Sequence, residues 1–357
     1  MSSKRVTITD VAREAGLSIK TVSNVINKGG SMRPETRARV EETIRRLGYR
    51  INVSARAMKA GRTGLIGLGL NCFDQPFMPY FADSIIAAAR ERGYGVITDT
   101  YPASGIEGVV EETYRLGADG WIFFVGCTLA GGGTVLRQPY PVVAVGDYDV
   151  DDEATGGLVD RVTMPNREAM QALTGRLLDD GCRSIAVFGA RLPGGSDVAS
   201  TAERDRLLAN GDGTTIQRVQ GYVQAFRERG LEPDWRYLDS PSAWTRAGGS
   251  QAVRMLFASG LPMPDAIMCL NDASALGAIV ELQRRGLRVP QDVRVTGFDN
   301  VPESDFSTPG LTTVDPDVTD YARHAVDMLI ERIEGLDAPA RTYITDYNVI
   351  VRGSALA

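Results

Sequence analysis

Histidine is nearly absent from this chain: His324 is the only one in 357 residues. That speaks against a metal centre and against a histidine-based catalytic triad, and His324 reads as an ordinary helix residue. The four cysteines, Cys72, Cys127, Cys182 and Cys269, lie far apart with no CxxC spacing. They read as buried, reduced thiols, which suits a cytosolic compartment. The opening SSKRVTITD lacks the apolar run of a signal peptide, and no apolar stretch reaches bilayer-spanning length. A cytoplasmic protein is expected. There is no GxxxxGK[ST] phosphate loop either, so neither catalytic residues nor a cofactor are expected.

What is present suits a protein of two or three domains, with 43% hydrophobic residues to fill their cores. The net charge of −6 conceals a division. Residues 1–60 carry 13 Lys and Arg against 5 Asp and Glu, a net of +8, which leaves −14 on the rest. A basic head on an acidic body implies that only the head meets phosphate.

The head is organised around TITDVAREAGLSIKTVSNVIN, Thr7 to Asn27. Thr7 and Asp10 have capping-box spacing. Val11, Ala12 and Ala15 give the first helix an apolar face, and Gly16 supplies a left-handed C-terminal turn. Ser18 caps a second helix, whose Val22, Val25 and Ile26 face the first. This is the helix-turn-helix plan, in which the second helix enters the major groove; here its start carries Ile19, Lys20 and Thr21. The alternative is a helical hairpin that only packs. A third helix is predicted over Pro34 to Leu47, with Val40, Ile44 and Leu47 inside. Around it stand Arg33, Arg37, Arg39, Arg45 and Arg46, either phosphate contacts or a solvated basic face. Asn52 can cap a short helix from Val53 to about Lys59. That helix is too short to hold alone in water, and a flexible linker is the other reading.

From Gly64 strands alternate with helices. Strands are predicted at GLIGLGLN, GYGVITDTY, GWIFFV, PVVAVGD, SIAVFGA, DAIMCL, VRVTGFD and TYITDYNVIVRG. Helices are predicted near 79–92, 105–116, 166–180, 218–229, 246–259, 272–285 and 317–334. The stretch 191–217 reads as a long, polar, Gly-rich loop. Such alternation implies an α/β core of parallel sheets covered by helices, with ligands beyond the carboxyl ends of the strands. Polar residues gather at those ends: Asn71, Asp147, Asn271, Asp272, Asp299 and Asn300. Asp272 is read as the cap of its own helix.

The head motif, then ETRARVEETIRRLGYRIN, a short hinge and GLIGL resemble the lactose repressor (LacI/GalR) family in order and spacing. The resemblance runs on through VTMPNREAMQALTGRLLDDGCRSIAVFGA, RVQGYVQAF, AIMCLNDASALGA, VRVTGFDN and PGLTTVDPD, covering essentially the whole chain. It implies a two-lobed core like the periplasmic sugar-binding proteins, with three crossovers and a cleft between the lobes. It implies DNA contacts from Thr7, Ser18, Ile19, Lys20, Thr21, Asn24 and Asn27, with Lys20 suited to guanine acceptors. Asn52, Ala55 and Met58 then belong to a hinge helix, where Met58 takes the place of the leucine that wedges into the minor groove. Ile51 stands where the family usually has proline, Pro165 where it has aspartate, and Cys182 where it has histidine. Arg218, Asn271 and Asp299 fall where the family holds sugar hydroxyls, and Trp244 where some members cover a sugar ring. Asn71 and Asp147 are first-lobe candidates. Core packing for Trp244 and a surface salt bridge for Arg218 are the structural alternatives.

The domains follow: a helix-turn-helix domain at 1–50, a hinge at 51–62, and an effector-binding and dimerisation core at 63–357. Its first lobe is expected at about 63–163 and 316–342, its second at about 164–315 and 343–357. The expected function is a sequence-specific repressor of carbohydrate-utilisation genes, released from a near-palindromic DNA operator by a mono- or disaccharide. A corepressor or a protein partner in place of the inducer is the alternative. A sugar-binding protein does not account for the basic head, and a sugar-processing enzyme needs a catalytic constellation; only Asp147 and Asp299 suggest a carboxylate pair. No heptad tail follows the last strand, so a homodimer is expected.

Overall fold

The computed structural model describes residues 6–26, 32–49, 61–101, 106, 113–126, 129–148, 150–190, 192, 198–211, 213–238 and 243–355. The chain divides into two compact units, Met1–Thr63 and Gly64–Ala357. Among the described residues no helix is long and apolar enough to cross a membrane.

The first unit holds three helices, α1 (Ile8–Ala15), α2 (Ile19–Ile26) and α3 (Pro34–Leu47). Their shared core is small: Val11, Ala12, Val22, Val25 and Val40 are buried together, with Ile44 and Leu47 against them. So small a core leaves much to the helix ends. Thr7 and Asp10 form the complete capping box, and α1 closes on Gly16 at φ 62°. Ser18 Oγ accepts a 3.1 Å bond from the Thr21 amide at the start of α2. Arg46 on α3 reaches Glu14 on α1 at 2.7 Å.

The second unit contains two sheets. The first has the order β10-β5-β4-β3-β1-β2, with every pair parallel. Its strands are β1 (Leu65–Leu70), β2 (Gly95–Thr100), β3 (Trp121–Phe124), β4 (Val142–Val145), β5 (Asp160–Thr163) and β10 (Thr342–Ile344). The second has the order β11-β9-β8-β7-β6, built from β6 (Ile185–Phe188), β7 (Ala266–Cys269), β8 (Arg294–Phe298), β9 (Thr312–Asp315) and β11 (Asn348–Ile350). It is parallel except where β11 runs against β9. The long helices are α4 (Phe77–Glu91), α5 (Asn166–Asp179), α6 (Val198–Asn210), α7 (Thr214–Glu228), α8 (Arg246–Ala258), α9 (Asp272–Arg284) and α10 (Val318–Ile333). Both faces of the first sheet are buried, as parallel strands require. Ile122 points into one core while its neighbours Trp121 and Phe123 stack in another. Opposite them β1 carries Gly67 and Gly69; a Cβ on Gly67 would lie 2.0 Å from the Trp121 ring.

Three sequence expectations change. TYITDYNVIVRG is two short strands in different sheets, since residues 345–347 carry the chain from one to the other. The stretch 191–217 is not simply a loop: it contains α6 and the first turn of α7. Of the helix expected near 105–116, the described part is a single tight turn at Tyr114–Leu116.

The chain passes between the sheets after β5, after β9 and after β10. At the other end of the first sheet, a buried clasp ties the start of β5 to the last turn of α10 and the start of β10. Asp160 on β5 accepts bonds from the guanidinium groups of Arg332, at 3.1 and 2.7 Å, and of Arg341, at 2.7 Å, and from the Arg341 amide at 2.9 Å. Arg332 also donates to the Ala338 and Pro339 carbonyls. Burial raises the Asp160 pKa, yet the bonds from Arg332 and Arg341 outweigh it and hold the carboxyl below its ordinary value. Its stabilisation is therefore present above the ordinary carboxylate pKa and is lost as pH falls through the lower folded value. Asp160→Asn leaves a buried guanidinium short of its counter-charge, and we expect a loss of about 3–5 kcal/mol in urea unfolding at pH 7. A change under about 1 kcal/mol would contradict this account.

Candidate functional sites

In the head, the caps described above hold the start of α2 in place. Ser18, Ile19 and Lys20 are exposed there, while Thr21 and Asn24 are half-buried. Ile19 is 48% exposed, an apolar side chain with no place in the three-helix core. Thr7 is exposed at the first cap. Of the arginines around α3, Arg45 pairs with Glu42 and Arg46 with Glu14, both on the surface. Asn27, Asn52, Ala55 and Met58 lie outside the described residues.

In the second unit, six expected residues line one cavity of about 270 Å³: Asn71, Asp147, Arg218, Trp244, Asn271 and Asp299. Asn71 follows β1, Asp147 lies just past β4, Asn271 follows β7 and Asp299 follows β8. The cavity therefore lies where strand ends of the two sheets meet, beyond their carboxyl termini.

Arg218 on α7 is 2% exposed. Its Nε donates to Asn166 Oδ1 at 2.7 Å and its guanidinium donates to the Leu270 carbonyl. The Asp299 carboxylate lies 3.9 Å away. The Phe298 ring lies under the guanidinium at 3.4 Å, and Trp244 at 5.3 Å. Burial lowers the Arg218 pKa, and Asp299, Asp147 and Asp272 work against that shift. It is not a surface salt bridge. Trp244 is half-buried; its Nε1 donates to the Gly189 carbonyl at 3.0 Å, which leaves the ring against the cavity.

Asn271 caps α9: its Oδ1 accepts from the Ser274 amide at 3.0 Å while its Nδ2 donates to the Trp244 carbonyl at 3.0 Å. Asp272 is therefore not the cap. It is fully buried behind the cavity, accepting from the Val301 amide at 3.0 Å and from the hydroxyls of Ser304 and Thr313 at 2.7 and 2.5 Å. A cap reading follows local spacing, but these partners come from residues some 30 and 40 positions away. Asp299 and Asn300 adopt left-handed backbone, φ 113° and 47°, a strain that non-glycine residues carry where surrounding contacts demand it. Burial pushes the Asp299 carboxyl well up, against Arg218 and with Asp272 and Asp147.

Asp147 lies in the first lobe and bonds across the cleft. Its carboxylate accepts from Thr163 at 2.6 Å and the Met164 amide at 3.2 Å, and from Thr214 on α7 of the second lobe at 2.6 Å. Gln217 of the same helix donates to the Asp147 carbonyl at 3.1 Å. Asn71 Oδ1 is buried with no hydrogen-bond partner among the described residues. The sequence reading missed Phe77, Met78, Phe124, Thr214 and Tyr321, which also line the cavity. Phe124 ends β3 and was readable by the same strand-end rule as Asn71. Thr214 was hidden because its stretch read as loop.

A helix-turn-helix head joined to a two-lobed core with a polar cleft defines a DNA-binding regulator that takes a small-molecule effector. Residues 7–52 match the lacI family of bacterial regulatory proteins, and residues 174–355 a periplasmic binding protein-like domain. The transcriptional repressor PurR of Aliivibrio fischeri is 30% identical, with 98% of each chain aligned. A LacI-type transcription regulator from Bifidobacterium animalis subsp. lactis superposes with a TM-score of 0.74 and 46% identity, over 81% of this chain and 99% of that one. The complex of the regulator CelR with cellobiose superposes with a TM-score of 0.66 and 26% identity, over 98% and 100%. The chain belongs to the lacI family of DNA-binding transcriptional repressors.

Burial pushes Asp272 up to about 7 despite the bonds from Thr313, Ser304 and Val301. In the unfolded chain an ordinary aspartate ionises near pH 4. The folded state thus binds more protons between about pH 4 and pH 7, and stability falls as pH rises through that window. Measured against Asp272→Asn in parallel urea titrations, the parent protein should lose stability relative to the variant from about pH 4 to pH 7 and show no further change above. A difference independent of pH would remove this assignment.

Proposed function

We propose that the effector is a sugar, a mono- or disaccharide, bound between the two lobes, and that it releases the repressor from a near-palindromic operator of carbohydrate-utilisation genes. The observation that carries this reading is the convergence of Asn71, Asp147, Arg218, Asn271 and Asp299 with the Trp244 ring on one cavity. Carboxylate, amide and guanidinium groups suit vicinal hydroxyls, and an indole covers the apolar face of a pyranose. The cellobiose bound to the CelR neighbour supports the same ligand class.

In this reading the protein is a cytoplasmic regulator with a head at 1–50, a hinge at 51–62 and a core at 63–357. Thr7, Ser18, Ile19, Lys20, Thr21, Asn24 and Asn27 contact the major-groove half-site. Asn52, Ala55 and Met58 act in the minor groove. One head covers one half-site, so a palindrome calls for a homodimer. Exposed apolar side chains support self-association: Phe306 is 85% and Val280 44% exposed, beside a groove also lined by Leu276.

DNA affinity at fixed salt, across a panel of mono- and disaccharides, tests the whole reading. One sugar should lower affinity for a selected operator; a compound that raises it makes the protein corepressor-dependent, and a silent panel removes the sugar. Lys20→Ala should cost about 1–3 kcal/mol and relax preference at one base pair in each half-site. Equal loss on all DNA would make Lys20 a phosphate contact instead. Met58→Ala should weaken operator binding, and unchanged affinity would remove the wedge.

A further inference from the structure

The charges around the cavity are unequal. Among the described residues that line it, Arg218 is the only cation. Asp147 lines it from the first lobe and Asp299 from the second, and Asp272 lies buried behind Asp299. In the whole sequence there is no lysine beyond Lys59, so no flexible ammonium group of the core is available to swing in.

The one cation is also committed over most of its surface. Its Nε is turned to Asn166 Oδ1 and its Nη1 to the Leu270 carbonyl, its plane rests on Phe298, and its Nη2 lies 3.9 Å from Asp299, an ion pair without a hydrogen bond. Other strong donors are likewise turned to protein: Trp244 Nε1 to Gly189, Asn271 Nδ2 to the Trp244 carbonyl, and Thr214 to Asp147. Two acceptors are left facing the ligand space. Asn71 Oδ1 is buried without a partner among the described residues, and the Asp299 carboxylate, which accepts from the Asp272 backbone, is beyond hydrogen-bond distance of Arg218 and keeps acceptor capacity. A ligand that donates satisfies both. A ligand that arrives as an anion brings a charge toward carboxylates whose burial is already unfavourable, and among the described lining residues only the one, mostly committed Arg218 is there to meet it.

We propose that this cleft is selective for an uncharged, hydroxyl-donating ligand and rejects its anionic derivatives, so that the repressor senses a sugar before phosphorylation or oxidation to an acid. The inference rests on the sugar reading above and narrows it. The effector is then the substrate of a kinase-class or oxidising step, not its product.

Matched pairs test it with the full-length protein: glucose with glucose 6-phosphate and with gluconate, galactose with galactose 6-phosphate, and cellobiose with its 6-phosphate. Thermal stabilisation and release from operator DNA are both read across a concentration series. Any free sugar that acts should do so at a concentration at least about 100-fold below its anionic partner, as a like-charge mismatch in a buried site implies. An anionic partner acting at equal or lower concentration overturns the inference and leaves the sugar reading intact. Silence from both members of every pair overturns the sugar reading, and this inference with it. Asp299→Asn removes one of the charges, so the ratio between free and phosphorylated sugar should narrow about tenfold or more. An unchanged ratio in that variant would show that charge at this wall is not what discriminates.

Discussion

A buried guanidinium constrains the core more than any other single group. Leaving Arg218 at 2% exposure without counter-charges would cost several kcal/mol, so the fold must bring partners to it. Those partners come from separated elements: Asn166 at the start of α5, the Leu270 carbonyl after β7, and Asp299 after β8. The left-handed backbone at Asp299 and Asn300 is consistent with that demand, since it turns a carboxylate inward at a strand end where the chain would otherwise run on. One charge thus gathers the strand ends that line the cavity.

The head and the core solve the problem of charge differently. All four lysines, Lys4, Lys20, Lys28 and Lys59, fall within the first 59 residues, and every Lys or Arg after that is arginine. A lysine is a strongly hydrated point charge on a flexible stem, suited to a surface that meets phosphate and bases in water. Arginine is more weakly hydrated and presents a planar fork, suited to pairs like Arg332–Asp160 and to stacking like Arg218 on Phe298. The division of residue types follows the division of labour: exchangeable contacts in the head, fixed ones inside the core.

What could be read from the sequence was what is local. The capping box of Thr7 and Asp10, the left-handed Gly16 and the Ser18 cap depend on residues three or four apart, and the structure has all of them. The strand-end rule also found four cavity residues, Asn71, Asp147, Asn271 and Asp299, because a parallel sheet displays its carboxyl ends together whatever the loops do, while Arg218 and Trp244 came from the family resemblance. Errors came where the deciding partner is distant. Asp272 resembles a cap until Thr313, 41 residues on, is seen to hold it. Residues 342–350 resemble one strand until two sheets are there to divide them. The cross-cleft bond from Thr214 to Asp147 had no local signature at all.

That cross-cleft bond limits how the switch can work. Asp147 already joins the lobes through Thr214 and Gln217 before any ligand is counted. An effector shifts a conformational equilibrium only by the difference between its affinities for the two states, and a full reversal from 1:99 to 99:1 requires roughly 5.5 kcal/mol of difference. Hydrogen bonds are worth about 1 kcal/mol each on balance, and somewhat more to charged groups. A ligand that made the same contacts in both conformations would bind and change nothing. Several of its contacts must therefore exist in one lobe arrangement alone. Groups that reach the ligand from opposite lobes, such as Asn71 on one side and Asp299 on the other, meet that requirement, since no open arrangement of the lobes would satisfy both at once.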